Sequence, residues 1–149
     1  MDNCEIVKSY NSKMQTTLPF RIRFSEIDAM RVVWHGAYAK YFEDAREWFG
    51  QQYGLDYLLI ESNGFFAPLV DLSIQFKKPL TYEMRPEITI IYRPTEAAKI
   101  VFDYEIRNTA NGELMVTGHT VQVFMNHDYE LVWTNPDFYE QWKKKWLKE

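Results

Sequence analysis

Five stretches of the chain have the apolar patterning of β-strands. The first sets Leu18, Phe20, Ile22 and Phe24 on one face and Arg21, Arg23 and Ser25 on the other, the two-residue period of a half-buried strand. The second opposes Val70, Leu72, Ile74 and Phe76 to Asp71, Ser73, Gln75 and Lys77, and the third opposes Ile88, Ile90 and Tyr92 to Glu87, Thr89 and Arg93. In the fourth, Ile100, Phe102, Tyr104 and Ile106 alternate with Lys99, Asp103, Glu105 and Arg107. Asn111-Gly112 then supplies the positive φ that a tight hairpin needs. The fifth, Leu114 to Met125, is apolar on both faces, which predicts a central position or a subunit contact. Clean alternation in its neighbours predicts antiparallel pairing with one wetter face.

Between the first two strands the period changes. Tyr38, Tyr41, Phe42, Ala45, Trp48 and Phe49 recur at helical spacing and predict an amphipathic helix over Ala37 to Gln52, with Gly54 as its stop. One long helix ahead of a hairpin series predicts an α+β domain: a curved, mostly antiparallel sheet wrapped around a central helix whose aromatic stripe fills the concave face. A short strand near Leu131 to Trp133 leads to Asn135-Pro136, a cap followed by proline in the first turn. A terminal helix is therefore expected over about 136–148. Its Phe138, Trp142 and Trp146 share a face, which docks on this domain or on a sister subunit.

The 149 residues fit one domain (1–149, core about 18–133), and a 46% hydrophobic, 17% aromatic composition is enough to bury a core without staples. Cys4 is the single cysteine, so no intramolecular disulfide forms. With no apolar run of signal or membrane-spanning length, the expected compartment is cytoplasmic, without a membrane partner. A net charge of −4 gives nucleic acid no electrostatic foothold. The basic run Lys143 to Lys145 reads as a solvated helix face. Three scattered histidines give no metal-ligand spacing, and no glycine-rich phosphate loop is present, so neither metal nor cofactor is assigned.

The candidate chemistry lies in the link between the first strand and the helix, which holds Glu26, Asp28 and His35. By residue type alone, Asp28 reads as a turn former and His35 as a half-buried ring. The run is more specific than its members. Glu26-x-Asp28, then Val32-Val33-Trp34-His35, then Tyr38, Tyr41, Phe42, Glu43, Ala45 and Arg46 resembles the hot-dog-fold thioesterases of the 4-hydroxybenzoyl-CoA thioesterase type. The resemblance continues more weakly through Asp71 to Pro79 and Gly118 to Phe124, covering roughly residues 18 to 128.

That resemblance implies hydrolysis of an acyl-CoA thioester, with Asp28 attacking the carbonyl or activating water. Backbone N–H groups near His35 and Gly36, at the positive end of the helix, would stabilise the carboxylate and the developing oxyanion. Gly36 would let substrate approach closely. His35 is a second catalytic candidate, and Glu26, Arg31, Trp34, Gly36 and Tyr38 are candidate substrate contacts. Glu26 reads as an orienter of the turn, as a tuner of Asp28 by like-charge repulsion, or as a solvated acid. Glu43 and Arg46 are spaced for an i,i+3 ion pair, and His119 reads as packing or interface. Lys77-Lys78 or Arg31 are candidates to meet the phosphates of coenzyme A, although a solvated face explains the lysines as well. Trp34, Tyr38 or Phe66 would line an aryl or medium aliphatic acyl site. The resemblance also implies a homodimer or homotetramer.

Two departures stand out. Arg31 replaces the family's usual glycine and is expected to adopt an ordinary backbone conformation and reach into the site. Met84 stands where relatives often place an acid. Competing readings are a noncatalytic acyl-binding module and an acyl-thioester hydratase or dehydratase. The second lacks its His-Phe-Pro-Gly signature here. The thioester's carrier, coenzyme A or an acyl carrier protein, stays open at this level.

Overall fold

The alternating stretches pair into one antiparallel sheet in a computed structural model that describes residues 14–147. Cys4 and residue 148 of the expected terminal helix lie outside the described residues. The elements are β1 (Gln15–Pro19), a 3-10 turn (Phe24–Glu26), α1 (Ala37–Tyr53), α2 (Tyr57–Ser62), β2 (Phe65–Phe66), β3 (Leu69–Phe76), β4 (Pro86–Arg93), β5 (Lys99–Asn108), β6 (Leu114–Asn126), β7 (Leu131–Val132) and α3 (Asp137–Trp146). The strand order runs β1-β4-β5-β6, and β6 also pairs with β3 and, at its C-terminal end, with β2 and β7. The strand apolar on both faces is thus central, as its pattern predicted.

Of the expected stripe, helix α1 buries Tyr38, Tyr41, Phe42, Ala45 and Phe49 against the buried faces of β4 and β5, where Ile88, Ile90, Tyr92, Ile100, Phe102, Tyr104 and Ile106 lie, while Trp48 is only half-buried and donates its indole N–H to the Thr16 hydroxyl. Each large side chain buried in this way contributes about 2 to 3 kcal/mol. Phe42 stacks on Tyr104 with ring centroids 4.2 Å apart. The helix comes this close because Gly118 lies beneath it: a Cβ there would sit 2.3 Å from the Phe42 ring. Gly54 ends the helix in the left-handed conformation, φ 75°, as expected of a glycine C-cap.

Helix α3 docks on this same domain. Trp142 is 6% exposed and donates its indole N–H to the Tyr53 carbonyl at 2.7 Å, and Trp146 sets its ring edge-on to Tyr53. Pro136, not Asn135, takes the N-cap position, and no side chain caps the helix. The Asn135 amide donates instead to the Glu96 carbonyl. Tyr139 and Tyr92 share a hydrogen bond of 2.5 Å between their hydroxyls, and burial pushes the Tyr92 phenol up to about 12.

The strand expectations need correction at two places. The first strand ends at Pro19, and Phe24 is 78% exposed on the 3-10 turn, because the chain leaves the sheet after Phe20 N–H reaches the Pro86 carbonyl. The expected dry face of β3 is open: Val70 is 58%, Leu72 41% and Phe76 53% exposed. Strand β3 pairs only with β6, and a register shift between Leu69 and Asp71 breaks the alternation. Helix α2 and strand β2 were not foreseen, since six and two residues are too few to show a period.

Candidate active site

An isolated antiparallel bridge between Ile27 and Val33 encloses a tight turn. Within it the Asp28 N–H donates to the Val32 carbonyl at 2.9 Å, and the Arg31 N–H donates to the Asp28 carbonyl at 3.0 Å. The Asp28 carboxylate closes the same turn. Its Oδ1 accepts from the Met30 N–H at 2.8 Å and, weakly, from the Val32 N–H at 3.5 Å. Oδ2 accepts no hydrogen bond among the described residues. The turn-forming and reactive readings of Asp28 are therefore compatible: one oxygen anchors the carboxylate and the other has no donor among the described residues.

Arg31 does not take an ordinary conformation. Its φ is 66°, the left-handed region that glycine occupies without a Cβ penalty. The turn keeps the shape glycine would give it, and arginine is strained into that shape. Arg31→Gly is accordingly expected to raise stability by up to about 1 kcal/mol, offset in part by the greater freedom of glycine in the unfolded chain. Chemical denaturation of both proteins checks this, and a less stable variant would show that the arginine side chain supplies a contact of its own.

Behind the turn, Glu26 is 3% exposed, which excludes the solvated-acid reading. Its Oε1 accepts from the Arg23 N–H and from the Tyr41 hydroxyl, each at 2.8 Å, and its Oε2 meets Lys40 Nζ at 3.1 Å. Burial alone would push its carboxyl up, but the hydrogen bonds from Arg23, Tyr41 and Lys40, with the Lys40 charge, hold it below the ordinary glutamate value. The same carboxylate, together with burial, pushes the Tyr41 phenol far up. Glu26 thus pins the turn to α1. Tyr41 and Lys40 were missed as site residues: helical spacing marked Tyr41 as core, and nothing in the pattern singled out Lys40.

At the start of α1, the His35 and Gly36 N–H groups donate to no described residue, and Gly36 at the N-cap has an ordinary φ of −72°. Its lack of a side chain serves Trp34, whose ring lies where a Cβ would be, 2.0 Å away. The space expected to admit substrate at Gly36 is thus covered by the Trp34 indole, itself 41% exposed. His35 is exposed, with its ring edge-on to Trp34 at 5.7 Å. Tyr38 is 2% exposed and packs edge-on against Phe76. Its phenol is raised by burial first, opposed by a hydrogen bond to the Leu80 backbone, and raised further by the nearby Asp28 charge. The structure therefore gathers Asp28, Trp34, His35, Gly36 and Tyr38 around one end of α1, with Arg31 on the exposed side of the turn and Glu26 behind it.

The remaining candidates lie apart. Arg46 forms no ion pair with Glu43; its guanidinium donates to the Tyr104 hydroxyl at 3.2 Å. Both line an open cavity of about 660 Å³, with Glu47, Phe66 and Leu69, which does not reach Asp28. His119 shares a 2.6 Å contact with Asp103 on the opposite face of the sheet. Lys78 pairs with Glu113, and Met84 packs against the core. Phe66 stacks near His127 and Tyr129, away from the turn. No group of three potential metal ligands occurs among the described residues, and no described helix is long and apolar enough to cross a membrane.

Residues 22–142 match the model of the thioesterase-like superfamily. A Bacillus subtilis (strain 168) protein provisionally named an acyl-CoA thioesterase, YneP, is 33% identical over 95 residues, covering 64% of this chain and 68% of that protein. The crystal structure of a DHNA-CoA thioesterase from Staphylococcus aureus superimposes with a TM-score of 0.78 at 29% identity, over 88% of this chain and 90% of that one. A 4-hydroxybenzoyl CoA thioesterase shares the fold at 19% identity, with a TM-score of 0.74 over 85% of this chain and 97% of its own. The chain belongs to the thioesterase-like superfamily and is a thioester hydrolase built on the hot-dog fold.

Proposed function

We propose that the thioester cleaved is an acyl-CoA, yielding a carboxylic acid and free coenzyme A, and that Asp28 is the reacting carboxylate. The observation that carries the assignment is the divided role of that carboxylate: Oδ1 is held by the Met30 N–H while Oδ2 accepts no hydrogen bond among the described residues, and the His35 and Gly36 N–H groups at the start of α1 donate to none of them. A carbonyl oxygen received by those two donors would present its carbon to Oδ2 or to a water held by it. Attack by Oδ2 forms an acyl anhydride and expels the thiolate, and water then releases the acid. Activation of water reaches the same products in one addition. Donors of this kind are worth about 3 kcal/mol in acyl-transfer sites. The names of the B. subtilis and S. aureus relatives support coenzyme A as the thiol.

The test is release of thiol from acetyl-, hexanoyl-, palmitoyl-, benzoyl- and 4-hydroxybenzoyl-CoA, read with a chromogenic disulfide reagent. Turnover is expected on at least one of them. Binding of acyl-CoA without thiol release would instead favour the noncatalytic module.

The protein is further proposed to act as a homodimer. One edge of β3 has no partner among the described strands, and the exposed Leu72 and Phe76 beside it would be covered by a second copy. The 660 Å³ cavity opens next to Leu69 at the start of this strand. Sedimentation velocity is expected to show a dimer, and Leu72→Glu a monomer. A wild-type monomer at micromolar concentration would sink this arrangement.

A further inference from the structure

Although the chain carries a net charge of −4, two arginines close to the reactive turn find no acid partner among the described residues. Arg21 and Arg23 are both exposed and stand at alternate positions of the extended segment after β1, so their side chains share a face. They line a surface depression of about 450 Å³ together with Tyr82, Glu26, Tyr41 and Asp44. Glu26 brings little free charge to it, since its oxygens are occupied by Arg23 N–H, Tyr41 and Lys40. Tyr82 is 44% exposed and Phe24 78% exposed, with their rings edge-on at 5.9 Å. Open aromatic surface therefore lies beside two free guanidinium groups.

Guanidinium groups bind phosphate oxygens in pairs, and an open aromatic ring stacks a nucleobase. We infer that Arg21, Arg23 and Tyr82 form the seat for the phosphorylated adenosine end of coenzyme A. The inference rests on the acyl-CoA reading and adds the place where the nucleotide is held. Arg23 precedes Asp28 by five residues, so the two Cα atoms lie within roughly 18 Å even for a fully extended chain, a gap that the pantetheine arm bridges. Of the lysine candidates, Lys78 is weaker because it is already paired with Glu113.

The experiment is calorimetric titration of the whole protein with adenosine 3′,5′-bisphosphate and, separately, with inorganic pyrophosphate, neither of which requires turnover. Wild type is expected to bind the bisphosphate, and the Arg21→Ala/Arg23→Ala double variant to bind both probes at least ten-fold more weakly. Tyr82→Ala should weaken the bisphosphate at least five-fold and leave pyrophosphate unchanged. Asp44→Asn, which removes a like charge, should tighten both. In steady-state kinetics the double variant should raise KM for acyl-CoA ten-fold or more at unchanged kcat, while kcat/KM for the matching acyl-pantetheine stays the same; general structural damage would lower both. Wild type that fails to bind the bisphosphate at millimolar concentration, or a double variant that binds it as tightly as wild type, overturns the seat. Bisphosphate binding lost in the double variant, by a protein that hydrolyses no thioester, would sink the proposed reaction and leave the seat standing.

Discussion

Asp28→Asn is expected to lower kcat for acyl-CoA hydrolysis by roughly three orders of magnitude with little change in thermal stability. The turn explains why the two effects separate. Asparagine keeps an oxygen at the Oδ1 position, so the Met30 N–H retains its acceptor and the bridge between Ile27 and Val33 loses nothing. What disappears is the second carboxylate oxygen, the proposed nucleophile or base of the reaction. Asp28→Ala removes both functions and should lose stability as well, by about 1 kcal/mol for the hydrogen bond. Steady-state kinetics with thermal unfolding of all three proteins decides the matter. An asparagine variant retaining a tenth or more of wild-type kcat would remove Asp28 from the chemistry and return it to the role of turn former.

The second large effect belongs to Glu26, which reacts with nothing. Glu26→Ala leaves the Tyr41 hydroxyl, the Arg23 N–H and the Lys40 ammonium without their common acceptor. Removing the hub of a buried, charge-assisted network costs roughly 3 kcal/mol, which for a domain of this size lowers Tm by about 10 °C. Because the turn that positions Asp28 is pinned through Glu26, kcat should fall with it. The pH dependence follows from the direction of its shift. The folded state holds the Glu26 carboxyl below its ordinary value, so the stabilisation is fully present above the unfolded value, near pH 4 to 5, and is lost as pH falls through the folded one. The stability gap between wild type and Glu26→Ala should therefore be widest near neutrality and narrow as pH drops below about 4. A gap that widens on acidification would contradict an ionised Glu26 held by these hydrogen bonds.

How much of this was legible beforehand depends on whether the information is local. The alternation in β4 and β5, the aromatic stripe of α1 and the glycine after it are properties of neighbouring residues, and burial selects them in the same register in which they are written: Ile88, Ile90 and Tyr92 point inward as their spacing predicts. The family resemblance of the run from Glu26 to Arg46 was equally readable, because a turn feeding a helix is contiguous in the chain, and the family match over residues 22–142 agrees with it. The pattern fails where a strand's fate depends on what lies beside it. The sequence of β3 alternates as cleanly as that of β4, yet Val70, Leu72 and Phe76 stay exposed and only Ile74 is half-buried, because no described element covers the strand beyond its pairing with β6. Phe24 continues the period of the first strand and ends up in solvent, because the chain has already turned away to let Glu26 cap the 3-10 turn.

The same division runs through the site. The chain's own order of residues determined that one acid-bearing link joins a strand to an aromatic helix, and that asparagine-glycine and glycine mark its turns. Tertiary structure alone decided that Glu26 is buried while Asp28 keeps an oxygen free, that Arg31 is held in a glycine's conformation, and that Trp34 fills the space over Gly36. The physical reason is that periodicity records only which side of an element faces the core. Which carboxylate loses its water, and which backbone is strained, depends on donors and rings brought from elsewhere in the chain, such as Tyr41 fifteen residues from Glu26 and the Leu80 carbonyl that receives the Val33 N–H.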